Sequence, residues 1–479
     1  MQVNVKRNVV YQNIYRVLTA SLPLLTAPHI SRVLGVENVG INSYVISIST
    51  FFVIFASLGI HTYGSRFIAT VQDDAQKRNK VFTGILLIQV IAVFIVSLVY
   101  MFYVTYANTS HHSLLLIRGM ILISLFFDRS WFLSGLEQFK AIAINGCIVK
   151  LVYVISIFTL VRNEQDLWRY VLLSSMAILF ININIWLYSR KFITIVKITR
   201  DDIKQHIKPI IALFVPVFST STYILLGRIM LVNLACELQL GLYANAEKIY
   251  LLMIGFVIAF NEVMIPRLSA LSAKGDRSET HRLQAISMKY VMMLSFALSF
   301  GIAAVARDFA PLFFGHAFYD AGILILGFSA IIPFFAFQNV ISAQYLIPQK
   351  KDKLYIIAIT IGTLVCVFAY LLLIPRHFAM GAIIARMLTE IIICVIVVLM
   401  ARKTLPICKY IKNCFFSLCA GVSMFVLVRI LSGSVGQGVA ALLFQIVLGA
   451  GLYLSLCIIY LILTKDTFFI NNTRKLFKR

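Results

Sequence analysis

Runs of about 20 apolar residues, separated by short polar stretches, recur from one end of the 479-residue chain to the other, and each could cross about 30 Å of hydrocarbon as a helix. The pattern predicts spanning helices near 9–34, 40–62, 81–107, 114–134, 141–162, 168–189, 208–233, 240–266, 286–306, 320–347, 354–375, 378–401, 408–431 and 439–464. The fold class expected is therefore an all-α polytopic membrane protein with about fourteen transmembrane helices. The first span follows Lys6 and Arg7, but it carries polar residues and lacks a small-residue cleavage site, so it reads as a retained helix rather than a signal peptide.

Composition agrees: 60% of residues are hydrophobic, 13% are charged and the mean hydropathy is +0.91. The formal net charge of +24 could point to nucleic acid, so the placement of the basic residues has to decide. Of the 43 Lys and Arg, 31 lie in alternate connections starting with the N-terminus, and six lie in the connections between those. This asymmetry is the positive-inside pattern; it excludes nucleic acid as a partner and puts both termini in the cytoplasm. The eight cysteines show no paired spacing and read as small hydrophobes.

The longest polar connection, 189–209, divides the chain into comparable blocks. At a constant offset of 201 residues, Gly40 falls on Gly241, Ile41 on Leu242, Arg66 on Arg267 and Ala69 on Ala270. Six helices per block start both blocks on the same side, so the repeat is parallel. The expected organisation is an N-terminal lobe at 1–195 (helices 1–6), a C-terminal lobe at 196–404 (helices 7–12), and helices 13 and 14 with a basic tail at 405–479, outside the repeat. The two lobes would surround a central cleft. The outward connections are short, which excludes an external catalytic domain.

Six basic residues fall inside spans: Arg16, Arg118, Lys150, Arg228, Lys248 and Arg386. A cation at the bilayer centre costs about 2.5–3.5 kcal/mol on insertion scales, so each needs a reason. Arg118 and Arg228 lie about one turn from an edge, where snorkelling is the simplest reading. At about 100° per residue, Gln12, Arg16 and Thr19 share a polar face of span 1, and Asn245, Lys248 and Glu262 share one in span 8. Ser43, Ser47, Thr50, Ser57 and His61 form a stripe in span 2. These stripes either line a wet cleft or mediate helix packing. Arg386 and Glu390 are spaced i, i+4 and are expected to neutralise each other. Glu247, Glu262 and Glu390 are the carboxylates placed to carry a coupling ion. A cleft lined by cations and hydroxyls inside an apolar shell suits a ligand with a phosphate-bearing head and a lipid tail. Pro23, Pro28, Pro209 and Pro216 bend the first helix of each block.

Residues 22–69, "LPLLTAPHISRVLGVENVGINSYVISISTFFVIFASLGIHTYGSRFIA", resemble the start of the Wzx-type repeat-unit flippases, polysaccharide transporters of the multidrug/oligosaccharidyl-lipid/polysaccharide exporter (MOP) superfamily. The residues that carry the resemblance are Pro23, Pro28, Ile30, Ser31, Arg32, Leu34, Gly35, Gly40, Tyr44, Gly59, Tyr63, Gly64, Ser65, Arg66 and Ala69. Residues 241–270 echo it less densely, through Pro266, Arg267 and Ser269. His29 stands where the family more often has Tyr, and Phe67 where it often has an acid. The resemblance implies a transporter of undecaprenyl-pyrophosphate-linked oligosaccharide from the inner to the outer leaflet, with cleft arginines such as Arg16 and Arg32 meeting the pyrophosphate.

These readings converge on an alternating-access flippase for capsule, O-antigen or exopolysaccharide units in the bacterial cytoplasmic membrane, not an enzyme and without a cofactor or metal. The substrate-binding candidates are Arg16, Arg32, Lys150, Arg228, Lys248 and Arg386. The expected partners are the lipid-linked oligosaccharide and membrane lipids, with a coupling proton or sodium ion and polysaccharide polymerase machinery as further candidates. Three alternatives compete: a flippase for teichoic acid units or a peptidoglycan precursor, a cation-coupled drug antiporter of the same fold, and a membrane glycan polymerase.

Overall fold

The computed structural model describes residues 5–106, 111–274, 277–349, 351–433, 436, 438–466 and 468–470; the side chains of 5–18, 20, 272, 273, 277 and 352 lie outside that description. Contacts divide the chain into two compact units, Met1–Gly241 and Leu242–Arg479. The first holds α1 (Val5–Ser57), α2 (Ile60–Thr70), α3 (Ala75–Tyr106), α4 (His112–Arg118), α5 (Met120–Leu125), α6 (Ser130–Gly135), α7 (Phe139–Leu160), α8 (Leu167–Ser189) and α9 (Arg200–Leu234). The long α10 (Glu237–Ala273) begins there and continues into the second unit, which adds α11 (Arg277–Phe314), α12 (Ala321–Ser329), α13 (Ile332–Ile341), α14 (Asp352–Ala401), α15 (Ile407–Ser432) and α16 (Val439–Leu463). No strand occurs among the described residues.

Among the described residues, eleven helices are long and apolar enough to cross a membrane. Two of these, α1 and α14, are each two helices joined at a non-helical residue, and α4 to α6 assemble one further, broken pass. The described residues therefore hold fourteen passes, as the hydropathy pattern predicts.

The breaks have local causes. In α1 the helix is interrupted at Gly35, whose φ of 76° and ψ of 177° favour glycine. The carbonyl left at Leu34 accepts from Asn38 Nδ2 at 3.0 Å, and the same amide reaches the Glu164 carbonyl at 3.2 Å. In α14 the break is at Phe378 (φ 50°), and a Cβ added to Gly381 would come within 2.2 Å of the Leu373 carbonyl oxygen, so a side chain there would block the turn. Helical hydrogen bonding also lapses between α5 and α6. Gln89 Nε2 donates to the Leu125 and Asp128 carbonyls at 2.7 and 3.1 Å, and the Arg129 guanidinium donates to the carbonyls of Phe126 and Asp128. Irregular backbone at membrane depth persists where side chains satisfy it in this way.

Phe67, where the resembling family often has an acid, packs into an aromatic cluster with Tyr63 and His206, and the Tyr63 hydroxyl and His206 Nδ1 lie 2.7 Å apart. A salt bridge at this position is thereby replaced by ring packing. In the second unit, α15 lays Tyr410 and Cys414 into the core formed by α10, α11, α13 and α14, and the Tyr453 hydroxyl of α16 donates to the Met293 carbonyl of α11 at 2.8 Å. Thus α15 and α16, the two helices predicted after the repeat, pack on α11.

The sequence repeat has a structural counterpart. A Cβ on Gly40 would come within 1.9 Å of the Glu237 carbonyl oxygen, and one on Gly241 within 2.0 Å of the Val36 carbonyl oxygen. Residues 36 and 40 map onto 237 and 241 at the same offset of 201. Each helix therefore approaches the other's backbone where the other lacks a side chain.

Candidate functional site

In the second unit, α10 and the latter half of α14 bring ionisable groups together. Tyr243, Glu247 and Tyr250 follow one another at i, i+4 and i+7 on α10, while Arg386 and Glu390 lie one turn apart on α14. The Arg386 guanidinium is 2% exposed and donates to Glu247 Oε1, whose side chain is fully buried. It also lies over the rings of Tyr250 and Phe328, 5.1 and 5.6 Å from their centroids. The expected pairing of Arg386 with Glu390 is thus corrected: the hydrogen-bonded ion pair is with Glu247. A carboxylate arriving from a neighbouring helix can meet the guanidinium end-on, whereas an i, i+4 neighbour lies alongside its stem. Glu390 is 2% exposed, and its Oε2 makes no hydrogen bond. Two buried acids therefore flank one buried base.

Lys248, one residue beyond Glu247, is half-buried and donates to Asn245 Oδ1 at 2.8 Å, and Asn245 itself is fully buried. Glu262, about four turns further along α10, is exposed. Of the three acids proposed for ion coupling, the fold gathers Glu247 and Glu390 and leaves Glu262 apart.

In the first unit, Lys150 of α7 is half-buried and donates to Thr19 Oγ1 of α1 at 2.8 Å, which brings a cation onto the polar face predicted for the first span. The side chains of Gln12 and Arg16 lie outside the described residues. Arg32 is exposed, one turn beyond His29, whose Nε2 meets the Val161 carbonyl at 3.0 Å. Arg228 of α9 is half-buried. The predicted stripe in the second span is divided. Ser43 and Ser47 are buried and donate back to the Val39 and Ser43 carbonyls, and Ser57 does the same to Val53. Thr50 is half-buried and His61 is exposed. His61 leaves the stripe because the chain breaks between α1 and α2, where Leu58 has a φ of 47°, and the helical phase does not carry across.

Sequence reasoning assigned Arg118 to the membrane edge by snorkelling; instead its side chain is buried, 6% exposed, and donates to Ser174 and Ser175 of α8 at 2.8 and 3.4 Å. The signal was the adjacent serine pair on another helix, which no periodicity of Arg118's own span reveals. The Gln89–Trp131 bond of 3.0 Å, beside the α5–α6 break, was missed for the same reason.

An apolar cavity of about 770 Å³ lies between α11, α12, α13, α14 and α15, with Phe296, Phe300, Phe334, Phe337 and Cys394 among its walls. Its wall residue Cys394 lies one turn beyond Glu390 on α14. Its lining suits hydrocarbon rather than a charged headgroup.

Comparison with known proteins places this geometry. Two relatives carrying the provisional name O-antigen transporter are similar along nearly their whole length: one from Shigella dysenteriae is 22% identical over 397 residues, covering 81% of this chain and 98% of the relative, and one from Escherichia coli (strain K12) is 20% identical, covering 84% and 98%. Among solved structures, the lipid II flippase MurJ in an inward closed conformation superposes with a TM-score of 0.73 at 17% identity, over 95% of this chain and 98% of that one. An inward-facing multidrug resistance MATE transporter of the MOP superfamily gives 0.63 at 14% identity, over 83% and 97%. The fold is therefore the one these transporters share. The profile of the polysaccharide biosynthesis protein family matches residues 5–272, more than half of the sequence, and the chain belongs to that family.

Proposed function

We propose that the protein is a flippase that carries lipid-linked oligosaccharide repeat units, built on undecaprenyl pyrophosphate, from the cytoplasmic to the outer leaflet of a bacterial inner membrane. The observation that carries this reading is the similarity to O-antigen transporters over 98% of their length. The cycle is alternating access between an N-terminal lobe (1–195) and a C-terminal lobe (196–404), with both termini cytoplasmic, as the distribution of basic residues favours.

In this reading Lys150 and Lys248 are contacts for the pyrophosphate, joined by Arg16, Arg32 and Arg228. Lys150 Nζ donates to Thr19 Oγ1 and Lys248 Nζ to Asn245 Oδ1, and these bonds orient the two ammonium groups. Arg386 has a different role. Its ion pair with Glu247 leaves it poorly placed to receive an anion, so we assign it to holding α10 and α14 together and assign Glu390 to carrying a coupling proton.

The test is complementation in a strain whose surface glycan depends on this protein. Lys150→Ala with Lys248→Ala is expected to lower glycan display at least tenfold at unchanged membrane levels of the protein. Full display by the double variant would remove the cationic contacts from the scheme. Display that is lost while drug efflux appears in the wild type would favour the antiporter reading instead.

A further inference from the structure

We infer that a groove between α7 and α8 is a binding site for one anionic phospholipid, separate from the path of the cargo. The groove encloses about 490 Å³ at the membrane edge where α7 begins and α8 ends, the edge that also carries Arg190 and Lys191.

Its lining changes with depth. Lys140 stands at the mouth, exposed and with no acidic partner among the described residues. Five residues further along α7, about 7–8 Å deeper at 1.5 Å per residue, Asn145 accepts a hydrogen bond from Asn184 Nδ2 of α8 at 3.0 Å and donates to the Ile181 carbonyl at 2.9 Å. Beside the mouth the Tyr188 hydroxyl donates to Gln138 Oε1 at 3.4 Å. Ile144 and Ile148, on the same α7 face, are 44% and 57% exposed.

The order cation, amides, branched hydrocarbon matches the order phosphate, glycerol ester, acyl chain in a phospholipid entering from that edge. The asparagines make the argument specific. Asn184 is exposed on a helix whose neighbouring outward residues, Phe180 and Leu187, are apolar, so it faces the bilayer rather than the protein. A carboxamide directed into pure hydrocarbon is costly, and its bond to Asn145 uses only one of its donors. A lipid ester oxygen at this depth would accept from another, and the Lys140 ammonium would meet the phosphate. A purely apolar chain offers neither, and a zwitterionic headgroup gains less from the basic edge.

Retention of lipid by the purified full-length protein, counted by native mass spectrometry during titration with phosphatidylglycerol or phosphatidylcholine, tests this. Phosphatidylglycerol should be retained preferentially, and Lys140→Gln should reduce its retention about five-fold. Asn184→Leu should reduce it in the same direction, with phosphatidylcholine retention unchanged in both variants. Lys77→Gln, which removes one cation from the exposed end of α3, should leave retention at the wild-type level. Wild-type retention in both groove variants overturns the site. An equal loss in the Lys77 variant overturns it in favour of diffuse attraction to the basic edge, and displacement of phosphatidylglycerol by an equimolar polyprenyl phosphate would reassign the groove to the cargo.

Discussion

Two arginines buried at membrane depth, Arg118 in the first unit and Arg386 in the second, are accommodated in opposite ways. Arg118 donates from Nη1 to the hydroxyls of Ser174 and Ser175 while its Nε makes no hydrogen bond, so neutral dipoles hold the group and its charge remains. Arg386 is joined to Glu247 and covered by two aromatic rings, so its charge is cancelled where it sits. Hydroxyl dipoles supply hydrogen-bond acceptors without adding an ion whose own desolvation must be offset. A carboxylate supplies far more Coulomb attraction and requires a second ion to leave water. Buried cations in one chain therefore need not share a role: the first arrangement maintains a positive field in its unit, and the second fastens two helices.

Removing one partner should reveal the difference most strongly at Arg386. Glu247→Ala removes the hydrogen-bonded counter-ion of a buried guanidinium and should destabilise the protein by about 3–5 kcal/mol in thermal unfolding. Glu247→Leu combined with Arg386→Met should recover most of that loss, because a well-packed apolar pair can replace a buried ion pair. Wild-type stability in the single variant would break the contrast. A smaller effect is expected in the first unit. Ser174→Ala with Ser175→Ala should cost about 2–3 kcal/mol through lost bonds to a charged group, and adding Arg118→Met should restore much of it. A loss as large as that of Glu247→Ala would mean that hydroxyls hold Arg118 as firmly as a counter-ion does.

The smallest effect tests whether ion pairing in the second unit extends to the water edge. Lys289 Nζ donates to Asp466 Oδ2 at 2.8 Å, and the Tyr290 hydroxyl donates to Oδ1 at 3.3 Å, which ties the segment after α16 to α11. Burial pushes the Asp466 carboxyl up, but the bonds from Lys289 and the Phe469 N–H outweigh it and hold it below the ordinary 3.8. A depressed carboxylate stabilises the fold above its unfolded pKa and loses that contribution as pH falls through the folded one. Asp466→Asn should therefore cost about 1–2 kcal/mol at neutral pH, and its melting temperature should converge on that of the wild type only below pH 3.8. Equal melting temperatures at pH 7 would show that this contact contributes nothing.

The fourteen passes were legible in the sequence because each is a single run of apolar residues whose length is set by the bilayer. Pairing was less legible. An i, i+4 rule describes one helix, so it named Glu390 for Arg386, whereas the choice of Glu247 depends on how α10 meets α14. The stripe from Ser43 to His61 assumed an unbroken helical phase, and a positive φ at Leu58 ended that phase. Arg118 was placed at the edge because its distance from the end of its own span is visible in the sequence and the serines on α8 are not. Lys150 was singled out for its depth alone, yet the polar face of the first span did supply its partner, Thr19, because both features rest on helical periodicity.

The crossing of Gly40 and Gly241 bears on how such a chain can change over time. Each glycine leaves room for the main chain that its counterpart's neighbourhood supplies, so α1 and the start of α10 are fitted by mutual omission. A gain of bulk at either position would push the two helices apart at both glycines at once.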